Sequence, residues 1–284
     1  MRSVAAALVA SLALAACGGS AGSSAAAAPS PRPTAARDPA AVHYAAGAAR
    51  YRLDVTTNTV QEVMGSNQEA QFTQSALLST TLADAGAEMV LAITVDSLTV
   101  QGTIPGLDAA ALSVARGQTF RARFTPHGLG LGVTVPDSTN AVMLQVGRSF
   151  RDFLPRLPAA PLAAGVAWAD TVSDTQSMPG GTGQTSTRSV RQHRIVGWED
   201  RDGVRALHLA TTGAFEISGT GEAQGQPIEI TGAGQATADR WVSAAGQFLG
   251  GTSRDSTNLT VTVINAGITV PIRRIQSTSV ARLP

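Results

Sequence analysis

The residues of this chain that could do chemistry are few, and one cysteine stands out among them. Cys17 is the only cysteine, and it ends the motif Leu14-Ala15-Ala16-Cys17. Arg2 and an apolar stretch over residues 4–13 precede the motif. Because that stretch is too short to span a bilayer as a helix, the pattern predicts a secretion signal peptide rather than a transmembrane anchor.

The motif Leu14-Ala15-Ala16-Cys17 resembles the bacterial lipobox, at which the cysteine sulfur receives diacylglycerol and a dedicated peptidase cuts before it. The resemblance implies that Cys17 is lipidated, with fatty acids such as palmitate. Two acyl chains hold a protein stably at a membrane, since each buried CH₂ contributes about 0.8 kcal/mol. Gly18 and Gly19 stand where inner-membrane retention signals carry aspartate, so the resemblance implies transfer to the outer membrane. The alternative is an ordinary signal peptide with a chance cysteine.

Catalytic and metal-binding motifs are sparse in the rest of the chain. It contains no Gly-x-Ser-x-Gly elbow of the α/β-hydrolases, and it lacks the lysine of Schiff-base and P-loop chemistry. His127, His193 and His208 have no partner at helical metal-ligand spacing. His193 and His208 lie at comparable distances from a predicted hairpin turn, which predicts that they face each other across the hairpin. They would then either bind a metal together or be solvated cross-strand residues. We therefore expect no enzyme activity, no metal site and no cofactor.

Two further sets of side chains are predicted to be structural, and the second of them has a functional alternative. Acidic residues alternate with threonine and serine along the strands, which predicts a solvated sheet face: Asp170, Asp174, Glu216, Glu222 and Glu229. Three tryptophans are predicted to pack in the core, with a stacking site for sugar or peptide as the alternative: Trp168, Trp198 and Trp241.

Composition and charge exclude several partners. The 284 residues carry 21 Lys plus Arg against 20 Asp plus Glu, a formal net charge of +1. No positive surplus is present to bind nucleic acid by counterion release or to attract acidic lipid. A single cysteine also excludes a disulfide within the chain.

The chain is predicted to have three parts. Residues 1–16 form the signal peptide, and residues 17–48 form the lipidated cysteine with a disordered tether of Ala, Gly, Ser and Pro. Residues 49–284 are long enough for one sizeable core and contain no linker-like gap. We therefore expect a single β-rich domain there.

Apolar residues alternate with polar ones along most of this domain, which is typical of strands with one buried face. The apolar set shifts by one residue around Asp96 and Ser97, and this predicts a β-bulge. Asp202-Gly203 predicts a tight hairpin turn between Trp198 and Leu207. The expected fold is mainly β: a large curved antiparallel sheet, half-barrel-like, with about 11–13 strands and one amphipathic helix packed on it.

The helix is predicted over residues 139–154, where apolar side chains recur at spacings of three and four. Ser138 or Thr139 is the expected N-cap. We expect Val146, Phe150 and Phe153 to lie against the concave face of the sheet, as ligand-facing or lid residues if that face carries a ligand. The alternative is that the helix merely plugs the sheet.

This order of elements resembles a group of uncharacterised envelope lipoproteins of bacteria and, more distantly, the half-barrel lipoprotein carriers and lipid-binding lipoproteins. In those families a curved antiparallel sheet wraps an apolar ligand, and helices close the mouth. The resemblance implies a membrane-anchored lipoprotein of the cell envelope, facing the periplasm, that acts as a binding or scaffold module for a lipid, another apolar ligand or an envelope protein. The alternatives are an envelope hydrolase whose site is assembled from distant residues, and a purely structural surface lipoprotein.

Overall fold

The computed structural model describes residues 41–63, 65–102, 112–159, 162–177, 182–223 and 225–284. The predicted signal peptide, the lipidation site Cys17 and the predicted tether up to residue 40 lie outside the described residues.

Antiparallel strands dominate the described residues, as predicted. They are β1 (Gly47–Val63), β2 (Ser66–Asp84), β3 (Met89–Gly102), β4 (Thr119–Phe124), β5 (Gly130–Thr134), β6 (Ala167–Ser177), β7 (Gly183–Arg201), β8 (Val204–Ala223), β9 (Gln226–Ser243), β10 (Phe248–Val263) and β11 (Ile268–Leu283). A helix, α1 (Ala141–Ser149), lies between β5 and β6, and a 3₁₀ turn (Ile264–Ala266) joins β10 to β11. Within the described ranges, no helix combines the length and apolar character needed to cross a bilayer.

The strands form one sheet of 11, in the order β5-β4-β3-β2-β1-β11-β10-β9-β8-β7-β6. Each half of the chain is an antiparallel meander, and the halves join where β11 pairs with β1. The two edge strands are therefore β5 and β6, which follow one another along the chain and are connected by the helical segment. This confirms the predicted sheet of about 11 to 13 strands with one helix.

The sheet must be strongly curved, because one residue of the connecting segment contacts both edges. The Arg151 guanidinium Nη1 lies 2.9 Å from Asp174 Oδ1 on β6, while a Cβ added at Gly130 on β5 would collide with the Arg151 carbonyl oxygen. Ten inter-strand spacings of about 4.8 Å would hold the edges of a flat sheet roughly 48 Å apart. The sheet therefore curls until the connecting segment lies between its edges, on the concave face.

Two local features follow the sequence predictions. The pairing of β2 with β3 shifts between Leu77 and Leu78, which leaves Asp96 as the extra residue of a β-bulge. At the β7–β8 turn, Asp202 and Gly203 both have positive φ, 51° and 77°, as a type I′ turn requires. Trp198 pairs with Leu207 across that hairpin.

The concave face carries two apolar clusters. The larger, called here the lid-end cluster, packs beneath the connecting segment and includes Tyr51, Ile93, Phe120, Leu207 and Phe248. The smaller, called the far cluster, lies towards the opposite ends of β8–β11. Its buried members are Phe215, Ile217, Ile228, Ile230, Leu259, Val261, Val263, Val270 and Ile272.

A buried polar belt separates the two clusters on the central strands. Strand pairing aligns Thr57, Gln276 and Asp255 in one row and Arg274 with Thr257 in the next, and all five side chains are buried. The same face of the sheet is therefore apolar at both ends and polar in the middle.

The helix is shorter than predicted. It runs over Ala141–Ser149, within the expected 139–154, and the chain continues as turns with buried Phe150 and Phe153. The N-cap is Asn140 rather than Ser138 or Thr139, because Asn140 Oδ1 accepts hydrogen bonds from the amides of Val142 and Met143.

The C-terminal end of the predicted tether is packed rather than disordered. Val42 and Tyr44 are buried, and the Tyr44 hydroxyl donates to the Pro155 carbonyl oxygen at 2.6 Å. The Ala45 amide donates to the Gly246 carbonyl oxygen at 3.1 Å. The tether is predicted from its high content of Ala, Gly, Ser and Pro. Two large side chains, Val42 and Tyr44, hardly change that composition, although they anchor the segment to the domain.

Candidate functional site

The candidate site is the concave face where residues 140–159, called here the lid segment, lie across it. The lid segment is attached to the β1–β5 half through apolar packing. Phe150 contacts Phe120 of β4 edge to face, with ring centroids 5.3 Å apart, and Phe153 contacts Tyr51 of β1 in the same manner at 5.3 Å. A backbone hydrogen bond adds to this attachment: the Leu157 amide donates to the His127 carbonyl oxygen at 2.8 Å.

Phe153 also reaches the second half of the sheet. Its ring lies edge to face against Phe248 of β10, with centroids 5.6 Å apart. Val146 is half-buried and packs on the same cluster, while Phe150 and Phe153 are almost fully buried. The lid segment thus inserts its aromatic rings into the lid-end cluster.

The attachment to β6 and β7 is polar. It consists of four side-chain contacts, called here the latch: Arg148 to Gln176 at 3.2 Å, Arg151 to Asp174 at 2.9 Å, Arg156 to Asp170 at 2.8 Å, and Asp152 to Arg191 at 2.8 Å. In the Arg151–Asp174 pair both side chains are more than one-third exposed. Such pairs stabilise a protein by only about 0.2–1 kcal/mol each. The β6 side of the lid segment is therefore the weaker attachment.

Asp170 is the most buried acid of the latch, with a side chain only 10% exposed. Burial by itself raises the pKa of Asp170, but its interactions with His193 and Arg156 outweigh burial and hold the pKa at about 2. The carboxylate is therefore ionised at neutral pH. Its contribution to stability is present above about pH 4 and is lost as the pH falls towards 2.

His193 connects Asp170 to a hydroxyl group. His193 Nε2 lies 3.3 Å from Asp170 Oδ2, and His193 Nδ1 lies 2.9 Å from Thr211 Oγ1. The indole ring of Trp168 stacks on the imidazole, with centroids 5.2 Å apart and planes inclined by 19°. A carboxylate, an imidazole and a hydroxyl thus follow one another beneath the latch in the order of a nucleophilic triad. The geometry is incomplete, because His193 Nε2 lies near Asp170 but makes no hydrogen bond.

The prediction that His193 and His208 face each other is wrong. His193 pairs with Thr211, whereas His208 pairs with Gly197, beyond a register shift between Ile195 and Gly197. His208 alternates with Leu207 and Leu209, which are buried on the concave face, so His208 lies on the convex surface. The bulge in β7 puts His193 on the opposite, concave face. No metal site joins these two histidines.

On the convex surface His208 belongs to a separate polar cluster. Its Nε2 lies 2.8 Å from Asp239 Oδ1, and its ring stacks on Trp241 with centroids 4.8 Å apart. The Arg201 guanidinium lies over the same indole at 3.8 Å, and the indole N–H donates to Glu199. Trp241 is thus part of a stacked surface cluster, and it does not pack in the core as predicted.

The solvated-face prediction holds for some acids and fails for others. Glu216, Glu222 and Glu229 are exposed, as expected. Asp170 and Asp174 instead lie on the concave face and bind the lid segment. The pattern of β6 did contain a signal, because Trp168, Asp170, Asp174 and Gln176 share one parity and therefore one face.

The predicted lid residues Val146, Phe150 and Phe153 do come together on the sheet, and a contact with a ligand stays a prediction. Sequence reasoning missed the latch and the Trp168–Asp170–His193 group. Among the described residues, no group of three or more His, Cys, Asp or Glu side chains is placed to hold a metal ion.

Fold and site together define a class: a curved, fully antiparallel sheet whose edges are bridged by a helical lid segment. No protein-family model matches the chain, and neither does any curated protein. Among solved structures, the crystal structure of OpdQ from Pseudomonas aeruginosa is similar over 84% of this chain and 98% of that one, at 8% sequence identity and a TM-score of 0.24. A TM-score this low carries no argument about fold or function.

Proposed function

We propose that this protein is a lipoprotein of the bacterial envelope, anchored to the outer membrane through Cys17 and facing the periplasm, that binds a lipid or another apolar ligand beneath its lid segment. The observation that carries the proposal is the unequal attachment of that segment. Aromatic rings join it to the β1–β5 half and, through Phe153, to Phe248 of β10, while polar pairs join it to β6 and β7 at the other edge. Apart from the buried Asp170 carboxylate, the side chains of these ion pairs are at least one-quarter exposed.

This asymmetry supports a lid that opens from the β6 side. Removing a buried phenylalanine side chain from its packing costs about 3–5 kcal/mol, whereas each surface ion pair contributes well under 1 kcal/mol on average. Fluctuations of the lid segment therefore separate the latch before they separate Phe150 from Phe120. An open latch exposes the apolar side chains of the lid-end cluster, and an acyl chain is the ligand that such a surface favours.

The lid-end cluster supplies the area for such a ligand. Phe150 and Phe153 fill it in the closed form, so a bound acyl chain would replace their contacts rather than enter an empty space. An envelope protein partner that inserts an apolar segment would use the same surface.

A hydrolase is the second candidate, since Asp170, His193 and Thr211 follow the order of a nucleophilic triad. We favour a binding protein, because β8 is paired on both sides, with β7 and with β9. Its amides around Thr211 belong to these ladders, whereas acyl transfer needs donors directed at a developing oxyanion. We infer that Asp170 and Thr211 orient His193, and that the protein is not an enzyme.

The anchor is tested by Cys17→Ser. Acylation requires the thiol, so the variant is expected to lose incorporation of labelled palmitate and to move from the membrane fraction to the soluble fraction. Labelled palmitate that is still incorporated after the substitution would contradict lipidation at Cys17. Wild-type chain expressed in parallel is the control for export.

The lid is tested by Arg151→Gln, which weakens one latch contact and leaves the aromatic attachment in place. We expect the variant to take up N-phenyl-1-naphthylamine, an uncharged apolar probe, about two- to fivefold faster than wild type in stopped-flow fluorescence, because one surface pair contributes up to about 1 kcal/mol. Uptake by wild type should also accelerate at high salt, which screens the latch.

The matched control is Arg123→Gln. Arg123 pairs with Glu88 at 3.3 Å, also at the surface, but both residues lie outside the lid segment and the latch. Equal rates for Arg151→Gln and Arg123→Gln would show that the latch does not control access, and no uptake by any form would contradict ligand binding itself.

A further inference from the structure

Two buried polar atoms of β6 have no hydrogen-bond partner, although they lie directly beneath the latch. They are the indole nitrogen Nε1 of Trp168, a donor, and the carboxylate oxygen Oδ1 of Asp170, an acceptor. His193 Nε2, on the neighbouring strand β7, is likewise buried without a hydrogen-bond partner, and a hydroxyl group could serve it as donor or acceptor. The side chain of Asp170 is nine-tenths buried. Buried polar groups in folded proteins are nearly always hydrogen-bonded, so such a pair calls for an explanation.

The surroundings of the two atoms hold them in place. Trp168 and Asp170 are two residues apart on one strand, so both side chains lie on the concave face. The Trp168 ring stacks on His193, and the other carboxylate oxygen of Asp170 lies 2.8 Å from Arg156 of the lid segment. Neither side chain can turn to find another partner without breaking one of these contacts.

The chemistry of the pair selects its partner. A group that satisfies both atoms must accept a hydrogen bond from the Trp168 N–H and donate one to Asp170. A fatty-acid carboxylate would accept from the indole but would be repelled by the ionised Asp170. An ammonium group would donate to Asp170 but offers no acceptor for the indole. A hydroxyl group does both.

We propose that Trp168 and Asp170 form a subsite for the uncharged, hydroxyl-bearing head group of an acyl ligand, of the kind a monoacylglycerol presents. This inference rests on the proposed function, because the acyl chain of the ligand would lie in the lid-end cluster beside the subsite. Trp168 itself packs on that cluster, so the polar and apolar contacts are continuous.

The test compares ligands that share one chain and differ in the head group. The protein is the full chain carrying Cys17→Ser, so that its own acyl groups do not compete. Calorimetric titrations use 1-monododecanoylglycerol, methyl dodecanoate and dodecanoate, each below its aggregation concentration. We expect the monoacylglycerol to bind at least fivefold more tightly than the ester and the carboxylate, since one hydrogen bond contributes about that factor.

The deciding variant is Trp168→Phe, which keeps an aromatic ring against His193 and removes only the indole N–H. It should weaken binding of the monoacylglycerol about fivefold and weaken binding of the methyl ester, which carries no hydroxyl for the subsite, by clearly less. The matched control is Trp241→Phe on the convex surface, whose N–H already donates to Glu199. That control should bind all three probes as wild type does.

The possible failures are distinguishable. If wild type binds the ester and the monoacylglycerol equally, or if Trp168→Phe leaves the monoacylglycerol affinity unchanged, the head-group subsite is refuted while ligand binding stands. If no probe binds to wild type, the proposed function fails and the subsite fails with it.

Discussion

Replacing Phe150 with alanine is expected to lower the free energy of unfolding by about 3–5 kcal/mol, the usual cost of removing a fully packed phenylalanine. The ring is 2% exposed and lies edge to face against Phe120 and Phe153, so the surrounding side chains cannot easily fill the space. Urea denaturation of the full chain carrying Cys17→Ser measures the loss. Val190→Ala, at a position 42% exposed on β7, is the control and should change stability by less than about 0.5 kcal/mol.

The same variant separates a lid from a structural plug. If an acyl ligand replaces the Phe150 contacts, Phe150→Ala stripped of lipid should recover stability after incubation with membrane lipid extract, and it should gain more than wild type, because the missing ring leaves room for the chain. If Phe150→Ala loses the full expected free energy of unfolding and lipid extract stabilises neither form, the helix only completes the core. The purely structural alternative would then replace the binding proposal.

Much of the fold could be predicted because the information is local. The alternation of apolar residues follows directly from strand geometry, and the bulge at Asp96 and the turn at Asp202-Gly203 each have a signature within a few residues. The amphipathic spacing around Val146 and Phe150 likewise depends on one element. These features need no knowledge of the partner strand.

The site could be predicted only in part because it depends on curvature. Arg151 and Asp174 meet only because the two edges of the sheet approach each other, and nothing in either segment encodes that distance. Parity does separate Glu216, which alternates with the buried Phe215 and Ile217, from Asp170, which shares a face with Trp168. It could not show that the lid segment covers Asp170. The bulge that separates His193 from His208 did have a signal, because Gly197, an isolated glycine within a strand pattern, lies at the register shift.

Sequence reasoning also missed the polar belt of the central strands, because its residues come together only through the pairing of distant strands. The belt predicts how the stability of the protein depends on pH. Asp255 is fully buried, and its Oδ1 lies 3.7 Å from Arg274 Nη2, whose side chain is 8% exposed. Burial raises the pKa of Asp255 to about 6, although the Arg274 charge opposes that rise. An unfolded aspartate titrates near 3.9, so the folded protein binds the extra proton between about pH 4 and 6. Stability should therefore rise as the pH falls through this window, by up to about 3 kcal/mol.

Removing the cation should steepen this dependence. Arg274→Met leaves the Asp255 carboxylate buried without its opposite charge, which is expected to cost about 3–5 kcal/mol at pH 8, where Asp255 is ionised. At pH 5 Asp255 is protonated and carries no charge, so the same substitution should cost clearly less. Urea denaturation at the two pH values measures the difference. Arg50→Met, which removes an exposed partner of Asp96, is the control and should change stability by less than about 1 kcal/mol at either pH. An equal loss for Arg274→Met at pH 5 and pH 8 would show that the cation acts through packing, and that the charge of Asp255 does not govern the stability of the belt.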